Sequence, residues 1–350
     1  MSKRVLVTGA GGLIGSEAAR YFLKDHLVWG IDNDMRSTFF GKEGSVIPTI
    51  EKLKVEDGYT HFHADITSED QIGSIFKNIK PDVIIHCAAQ PSHDKAADIP
   101  LLDFNVNAFG TINLLEATRK FCSKDAVFIH MSTNKVYGDG PNNLEISESD
   151  VRYDFASREF SEGISESFQI DQCLHSLFGA SKVSADIVAQ EYGRYFNMNV
   201  GIFRGGCLTG PQHAGVELHG FLSYIVKCAI IGRPYTVFGY KGKQVRDQIH
   251  SYDVIQAFER FIENPRQGAV YNIGGGRENS ASILEIIHYL KHNHGLELNY
   301  SVSDKNRSGD HICYYTDLSK LKSHFPDWSI TISLNNIIDD IIFNSKIEKE

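Results

Sequence analysis

The sequence predicts an α/β protein: a Rossmann-type, doubly wound parallel sheet with a smaller, interleaved C-terminal lobe. Short apolar runs alternate with helical periodicity through the first half, the pattern of βαβ units. A glycine-rich turn, Gly9-Ala10-Gly11-Gly12-Leu13-Ile14-Gly15, joins the first apolar run to the first helical segment. The second run ends in Ile31-Asp32, about twenty residues on, where a dinucleotide fold places a carboxylate.

Each element follows from its own pattern. Strands are expected at Arg4–Thr8, Leu27–Ile31, His61–Ala64, Val83–Cys87, Ala126–Met131 and Asn199–Phe203, each short and rich in β-branched or aromatic residues. Helices are expected between them at Ile14–Leu23, Thr67–Asn78, Asn107–Phe121 and Ala180–Phe196; the last carries Ala185, Val188, Ala189 and Tyr192 on one side. Parallel strands require such crossovers. Beyond Phe203 the pattern loosens into helices at Phe221–Ile231, Val254–Ile262 and Ser282–His292, with strands at Tyr235–Phe238 and Val270–Ile273. The expected division is a nucleotide-binding domain over 1–204 and a lobe over 205–350, with 250–275 returning to the main sheet. The polar, weakly periodic stretch 145–177 is expected to be a lid or insertion.

Composition narrows the function classes. An apolar fraction of 42% and a charged fraction of 23% over 350 residues allow a sizeable core and exclude disorder or a fibre. A net charge of -9 argues against nucleic acid or anionic membrane as partners, while leaving room for a local basic pocket. Six cysteines without a C-x-x-C pair signal neither a disulfide framework nor zinc. His213, Glu217 and His219 hold only one i, i+4 pair, so no metal is expected. No apolar run reaches the ~20 residues of a membrane helix, and Met1-Ser2-Lys3-Arg4 runs straight into Val5-Leu6-Val7. The expectation is a cytoplasmic protein.

The glycine turn is the first chemical site. Gly9, Gly12 and Gly15 permit a tight turn and close approach of a pyrophosphate, while the backbone N–H groups of Leu13 and Ile14 open a helix whose N-terminus is electropositive. Asp32, with Asn33 beside it, would accept the adenosine ribose hydroxyls and repel the 2′-phosphate of NADP, favouring NAD. Arg36 is the neighbour that could accommodate that phosphate. Asp65-Ile66 follows the third strand, where a carboxylate could meet the adenine amino group, and Ala88-Ala89-Gln90 follows the fourth, where small residues let a cofactor pass.

With Asn107 before Gly110-Thr111, Ser132-Thr133 after a strand and Lys182 in a helix, the chain resembles the extended short-chain dehydrogenase/reductases over nearly its whole length. More narrowly, Ser132-Thr133-Asn134-Lys135-Val136-Tyr137-Gly138-Asp139 and Gly242-Lys243-Gln244-Val245-Arg246-Asp247 resemble the CDP-paratose 2-epimerases. The resemblance implies NAD as cofactor, a nucleotide-diphosphate sugar (a CDP-sugar) as substrate, transient oxidation at C2 with hydride return, and a homodimer. It makes 205–350 mainly a substrate-binding lobe. It assigns Asn107, Ser132 and Lys182 to the cofactor and Thr133 to the reacting hydroxyl. Asn134, Lys135, Gly206, His219, Arg246 and Arg307 go to the substrate, the two arginines as a diphosphate clamp.

One position departs from the pattern. Relatives pair a tyrosine with the lysine one helical turn later, so that the ammonium lowers the phenol pKa. Here Leu177-Phe178-Gly179-Ala180-Ser181-Lys182 puts Phe178 at the tyrosine's place. Three explanations stand at this stage. A substitute base acts (Tyr153, His175, Lys182 itself or water held by Thr133), a Tyr→Phe replacement was introduced to trap a complex, or the reaction is changed or lost. Dehydratases of the superfamily carry Asp-Glu after the threonine, and nucleotide-sugar decarboxylases a Ser-Glu; Asn134 and Lys135 supply neither.

Overall fold

The structure is a computed structural model that describes residues 2–210, 220–305 and 310–347. In chain order the elements are β1 (Arg4–Thr8), α1 (Leu13–Phe22), β2 (Leu27–Ile31), α2 (Met35–Phe40), α3 (Ile47–Lys54), β3 (Tyr59–Phe62), α4 (Glu69–Ile79), β4 (Val83–His86), α5 (Pro100–Phe104), α6 (Gly110–Phe121) and β5 (Val127–Thr133). A short hairpin follows, β6 (Ile146–Glu148) and β7 (Tyr153–Phe155), then α7 (Ser176–Tyr195), β8 (Asn199–Gly205) and β9 (Cys207–Thr209). The remainder comprises α8 (Phe221–Ile231), β10 (Tyr235–Phe238), β11 (Val245–His250), α9 (Ser251–Glu263), β12 (Ala269–Ile273), β13 (Ser280–Ser282), α10 (Ile283–His294), β14 (Tyr300–Ser303), β15 (Cys313–Tyr314), α11 (Ser319–His324) and α12 (Leu334–Ile347).

The chain divides into two compact units, each assembled from several segments. The first comprises residues 1–136, 177–204 and 254–271. Its centre is a parallel sheet of seven strands in the order β12-β8-β5-β4-β1-β2-β3, the doubly wound architecture. Valine and isoleucine fill the middle strands because helices cover both faces of such a sheet; Leu6, Ile84 and Phe128 share one fully buried cluster with Phe76, Leu114 and Ile202. The succession runs outward from β1 to β3, then restarts on the other side of β1 with β4. That reversal is the switch point at which open α/β sheets bind ligands, at the carboxyl ends of the strands.

The second unit comprises 137–176, 205–253 and 272–350, so the expected insertion groups with this unit up to Ser176. Its hairpin is tied there by the Tyr153 N–H, which donates to the Lys243 carbonyl at 3.0 Å. β11 is the spine: it pairs with β9 and β15 in parallel and with β13 antiparallel. A separate cluster of α8, α10 and α12 side chains, among them Leu222, Ile225, Ile286, Leu290, Ile337 and Ile341, forms its core. Ser282 and Glu285 close a reciprocal cap on α10, at 3.0 and 2.8 Å, satisfying two backbone donors of the first turn.

Candidate active site

The glycine turn connects β1 to α1 in the first unit. Gly9 sits at φ +69°, and a Cβ there would stand 2.7 Å from the Ala88 nitrogen, so only glycine lets β1 and β4 end side by side. A Cβ on Gly15 would collide with the Gly9 carbonyl oxygen, whereas one on Gly12 would meet only that oxygen, at 3.3 Å. Gly12 is the N-cap of α1 and offers no side-chain acceptor. The first N–H groups of the helix, Leu13 and Ile14 among them, therefore face a cradle suited to an anion.

Asp32, at the end of β2, is half-buried and accepts from the Gly11 N–H and the Asp34 N–H, each at 2.9 Å. Burial pushes its pKa above the usual carboxylate value, against the pull of these two donors. A carboxylate so placed fits paired ribose hydroxyls. Asn33 turns its side-chain oxygen to the Met35 N–H at 3.2 Å, and the Arg36 guanidinium lies over the Phe40 ring, 4.9 Å from its centroid. Asp65 accepts from both the backbone and hydroxyl of Thr67 at 2.8 Å, while the Ile66 carbonyl is held by Asn113 at 2.8 Å. These side chains shape the loop beyond β3.

Behind β4 lies a buried polar lattice. His86 is 1% exposed, with Nδ1 2.8 Å from the Thr8 hydroxyl and Nε2 2.9 Å from the Thr111 hydroxyl. Because Thr111 donates to the Asn107 carbonyl at 2.7 Å, the imidazole must donate from Nε2 and accept at Nδ1. Burial holds it neutral, with its pKa lowered to about 3. The chain around Asn107 makes a π-helical turn, Asn105–Phe109, an irregularity frequent at functional sites. It lets the Asn107 amide bond Asp103 at 3.1 Å and Ser181 at 3.0 Å while its oxygen takes the Gln90 N–H at 2.9 Å.

Two of the residues expected at the cofactor brace one another here. Gln90 is fully buried and its side chain binds Ser92 and Asp103, so its carboxamide braces the turn after β4. Asn107 does the same from α6's approach, while Ala88 and Ala89 at that strand end are half-buried. Asp103, which sequence reasoning missed, anchors the lattice and takes the Ser181 hydroxyl at 2.5 Å. Its spacing to Asn107, one helical turn, was the available signal.

Lys182 is 5% exposed, and its ammonium donates to the Met131 carbonyl at 3.0 Å. Burial lowers its pKa to about 8, opposed by the neighbouring carboxylates of Asp186 and Asp103. Asp186, also missed although it lies at i+4 from the lysine, is 1% exposed and pairs with Arg204 at 2.8 Å. It also accepts the Ser132 hydroxyl at 2.6 Å, so the two side chains orient one another. Thr133 at the end of β5 is half-buried; its hydroxyl lies 3.4 Å from the Asn134 side-chain oxygen and accepts the Lys135 N–H at 3.2 Å. Phe178 is half-buried in the first turn of α7, its ring centroid 6.1 Å from that of His93.

The remaining expected residues belong to the second unit. Tyr153 is 9% exposed within β7. His175 places Nε2 2.6 Å from the Ile170 carbonyl. Gly206 is needed for packing, since a Cβ there would sit 2.9 Å from Asp247. The Arg246 guanidinium binds Asp310 at 2.6 Å, the Val245 carbonyl at 2.7 Å and the His311 carbonyl. His219 and Arg307, like His213 and Glu217, lie outside the described residues. Among the described residues no cluster of three His, Cys, Asp or Glu side chains could hold a metal, and no helix is long and apolar enough to cross a membrane.

The family model described as NAD dependent epimerase/dehydratase family matches residues 5–274. The chain belongs to that family. It is therefore an enzyme whose cofactor is NAD, and the glycine cradle, Asp32 and Lys182 are residues that fit that group. The chain is 30% identical to CDP-paratose 2-epimerase of Salmonella typhi, covering 94% of this chain and 95% of that protein. It is 28% identical to dTDP-glucose 4,6-dehydratase of Salmonella typhimurium over 79% and 73% of the two chains. Among solved structures it is similar to a Tyr→Phe mutant of UDP-glucuronic acid 4-epimerase from Bacillus cereus in complex with UDP-4-deoxy-4-fluoro-glucuronic acid and NAD. That likeness has a TM-score of 0.79 at 26% identity, covering 98% and 99% of the chains.

Proposed function

We propose that the chain epimerises a nucleotide-linked sugar, at C2 of a CDP-sugar, by transient oxidation and hydride return. The observation that carries this reading is the pair following Thr133. Loss of water across a carbon–carbon bond needs a separate acid and base, and Asn134, 7% exposed with its amide beside Thr133, is neither. Similarity along nearly the full length of a CDP-paratose 2-epimerase supports the position and the nucleotide.

Bound NAD supplies the hydride acceptor and donor. The protein's part is to hold and orient: the turn from Gly9 to Gly15 cradles the pyrophosphate, Asp32 takes ribose hydroxyls, Lys182 places a cation beside the nicotinamide ribose, and Thr133 steadies the sugar oxygen. The homodimer is also proposed, through α5, the π-helical turn that follows it and α7. Leu101, Phe104 and Phe109 are 87%, 52% and 36% exposed and Ile187 is 38% exposed, an apolar surface that association would cover. Action in the cytoplasm belongs to the same reading.

Incubation with CDP-paratose or CDP-tyvelose and NAD, followed by NMR of the product, tests it. An isomer without lasting reduced-nicotinamide absorbance is expected. Loss of water would make the chain a dehydratase, and accumulating NADH a dehydrogenase.

A further inference from the structure

Phe178 has no ionisable group, so the epimerase reading lacks a proton acceptor at the position the resemblance assigns. We propose that His93 takes the sugar hydroxyl's proton. The inference rests on the epimerase reading and adds a residue to its site.

His93 lies in the turn that follows β4, the strand whose end abuts Gly9. That turn is fixed on both sides of Ser92. The Ser92 N–H donates to the Gln90 side-chain oxygen at 2.5 Å, and its carbonyl accepts from the Gln90 amide at 2.9 Å. Its hydroxyl takes the Lys95 N–H at 3.2 Å. Gln90 is in turn held by Asn107 and Asp103, so the imidazole is presented from a rigid support, as a proton acceptor requires. Its ring stands 6.1 Å from Phe178 at 57°, within the range of paired aromatic rings. The half-buried imidazole thus occupies the neighbourhood a phenol on α7 would have, one helical turn before Lys182.

The chemistry suits the group. Imidazole has an ordinary pKa of about 6.5, matched to base catalysis at neutral pH. Lys182, with its pKa at about 8, is mainly an ammonium there and serves as the fixed positive charge that favours a developing alkoxide. As hydride leaves the carbinol carbon for the nicotinamide, the O–H electron pair closes the C=O bond and the proton joins the imidazole lone pair. In the return half-reaction hydride adds to the opposite face of the ketone, and the imidazolium gives the proton back to oxygen. No net oxidation results.

His93→Gln, of similar size but unable to take a proton at neutral pH, is expected to lower kcat about 10²-fold or more with NAD content unchanged. Phe178→Tyr added to that variant is expected to recover most of the loss, because a phenol four residues before Lys182 replaces the missing acceptor. A readout without turnover is the NMR of the histidine ring protons in nucleotide-free protein, where Phe178→Leu should shift the His93 signals through the lost ring current. Wild-type kcat in His93→Gln, a loss that Phe178→Tyr does not recover, or unmoved His93 signals would each overturn the assignment alone. A wild-type chain that turns over no CDP-sugar with NAD overturns the epimerase reading and this inference with it.

Discussion

Asp186 in the first unit and Asp247 in the second are both buried carboxylates, stabilised by opposite means. In the first unit Asp186 is paired with Arg204, both nearly inaccessible, and also receives Ser132 and the Gln190 amide at 2.7 Å. In the second, Asp247 is fully buried with neutral partners at one oxygen, the Gly276 and Thr316 N–H groups at 3.1 and 3.0 Å. Burial raises its pKa to about 6, against those hydrogen bonds. Charge beside the site is kept as charge, where it holds up the pKa of Lys182; Asp247 in the second unit is held by dipoles alone and is close to being discharged. Asp32 lies between these cases, half-buried on two backbone donors.

Asp186→Asn should have the largest effect, since it strands the buried Arg204 guanidinium. A loss of about 3–5 kcal/mol in urea unfolding is expected, with a further fall in the Lys182 pKa. A loss below about 1 kcal/mol would mean that the ion pair does not hold this core. Asp32→Asn should leave the fold intact and weaken NAD binding about 10- to 100-fold, the worth of a hydrogen bond to a charged group, measured by calorimetry; unchanged affinity would remove Asp32 from the ribose.

The effect expected at Asp247 carries a direction in pH. Its folded pKa exceeds the unfolded one, so the folded state retains the proton longer. Stability from this group is complete below about pH 4 and is lost as pH rises through about 6. Asp247→Asn keeps an oxygen for both N–H donors, so the variant should match wild type in acid and exceed it by about 3 kcal/mol at pH 8. Thermal melts across this window would decide it, and parallel curves for the two proteins would contradict the elevated pKa.

The sequence made the first unit far more readable than the second. β1, β2 and β4 are buried on both faces, so they appear as apolar runs, and the glycine turn carries its geometry in its own residues. β3 begins at Tyr59 and not at His61, because Ala64 and Ile66 are buried in the following loop and prolong the apolar pattern. β11 shows the opposite difficulty. Val245–His250 is buried along its whole length, yet Arg246, Asp247, Gln248 and His250 give it no apolar run. Its polar groups are enclosed by strands distant in sequence, and no local window contains those partners. The site divides likewise: Gly9, Asp32 and Lys182 announce themselves by type and spacing, whereas Asp103, Asp186 and His93 acquire their surroundings only when separate segments meet.

The three-part assembly of the first unit constrains its biosynthesis. β12, the outermost strand beside β8, emerges after a long excursion through the other unit. Until then the growing polypeptide exposes unpaired backbone along β8, an invitation to edge-to-edge aggregation. A gene fragment ending at residue 204 would make that exposure permanent, so this nucleotide-binding half is not a portable module.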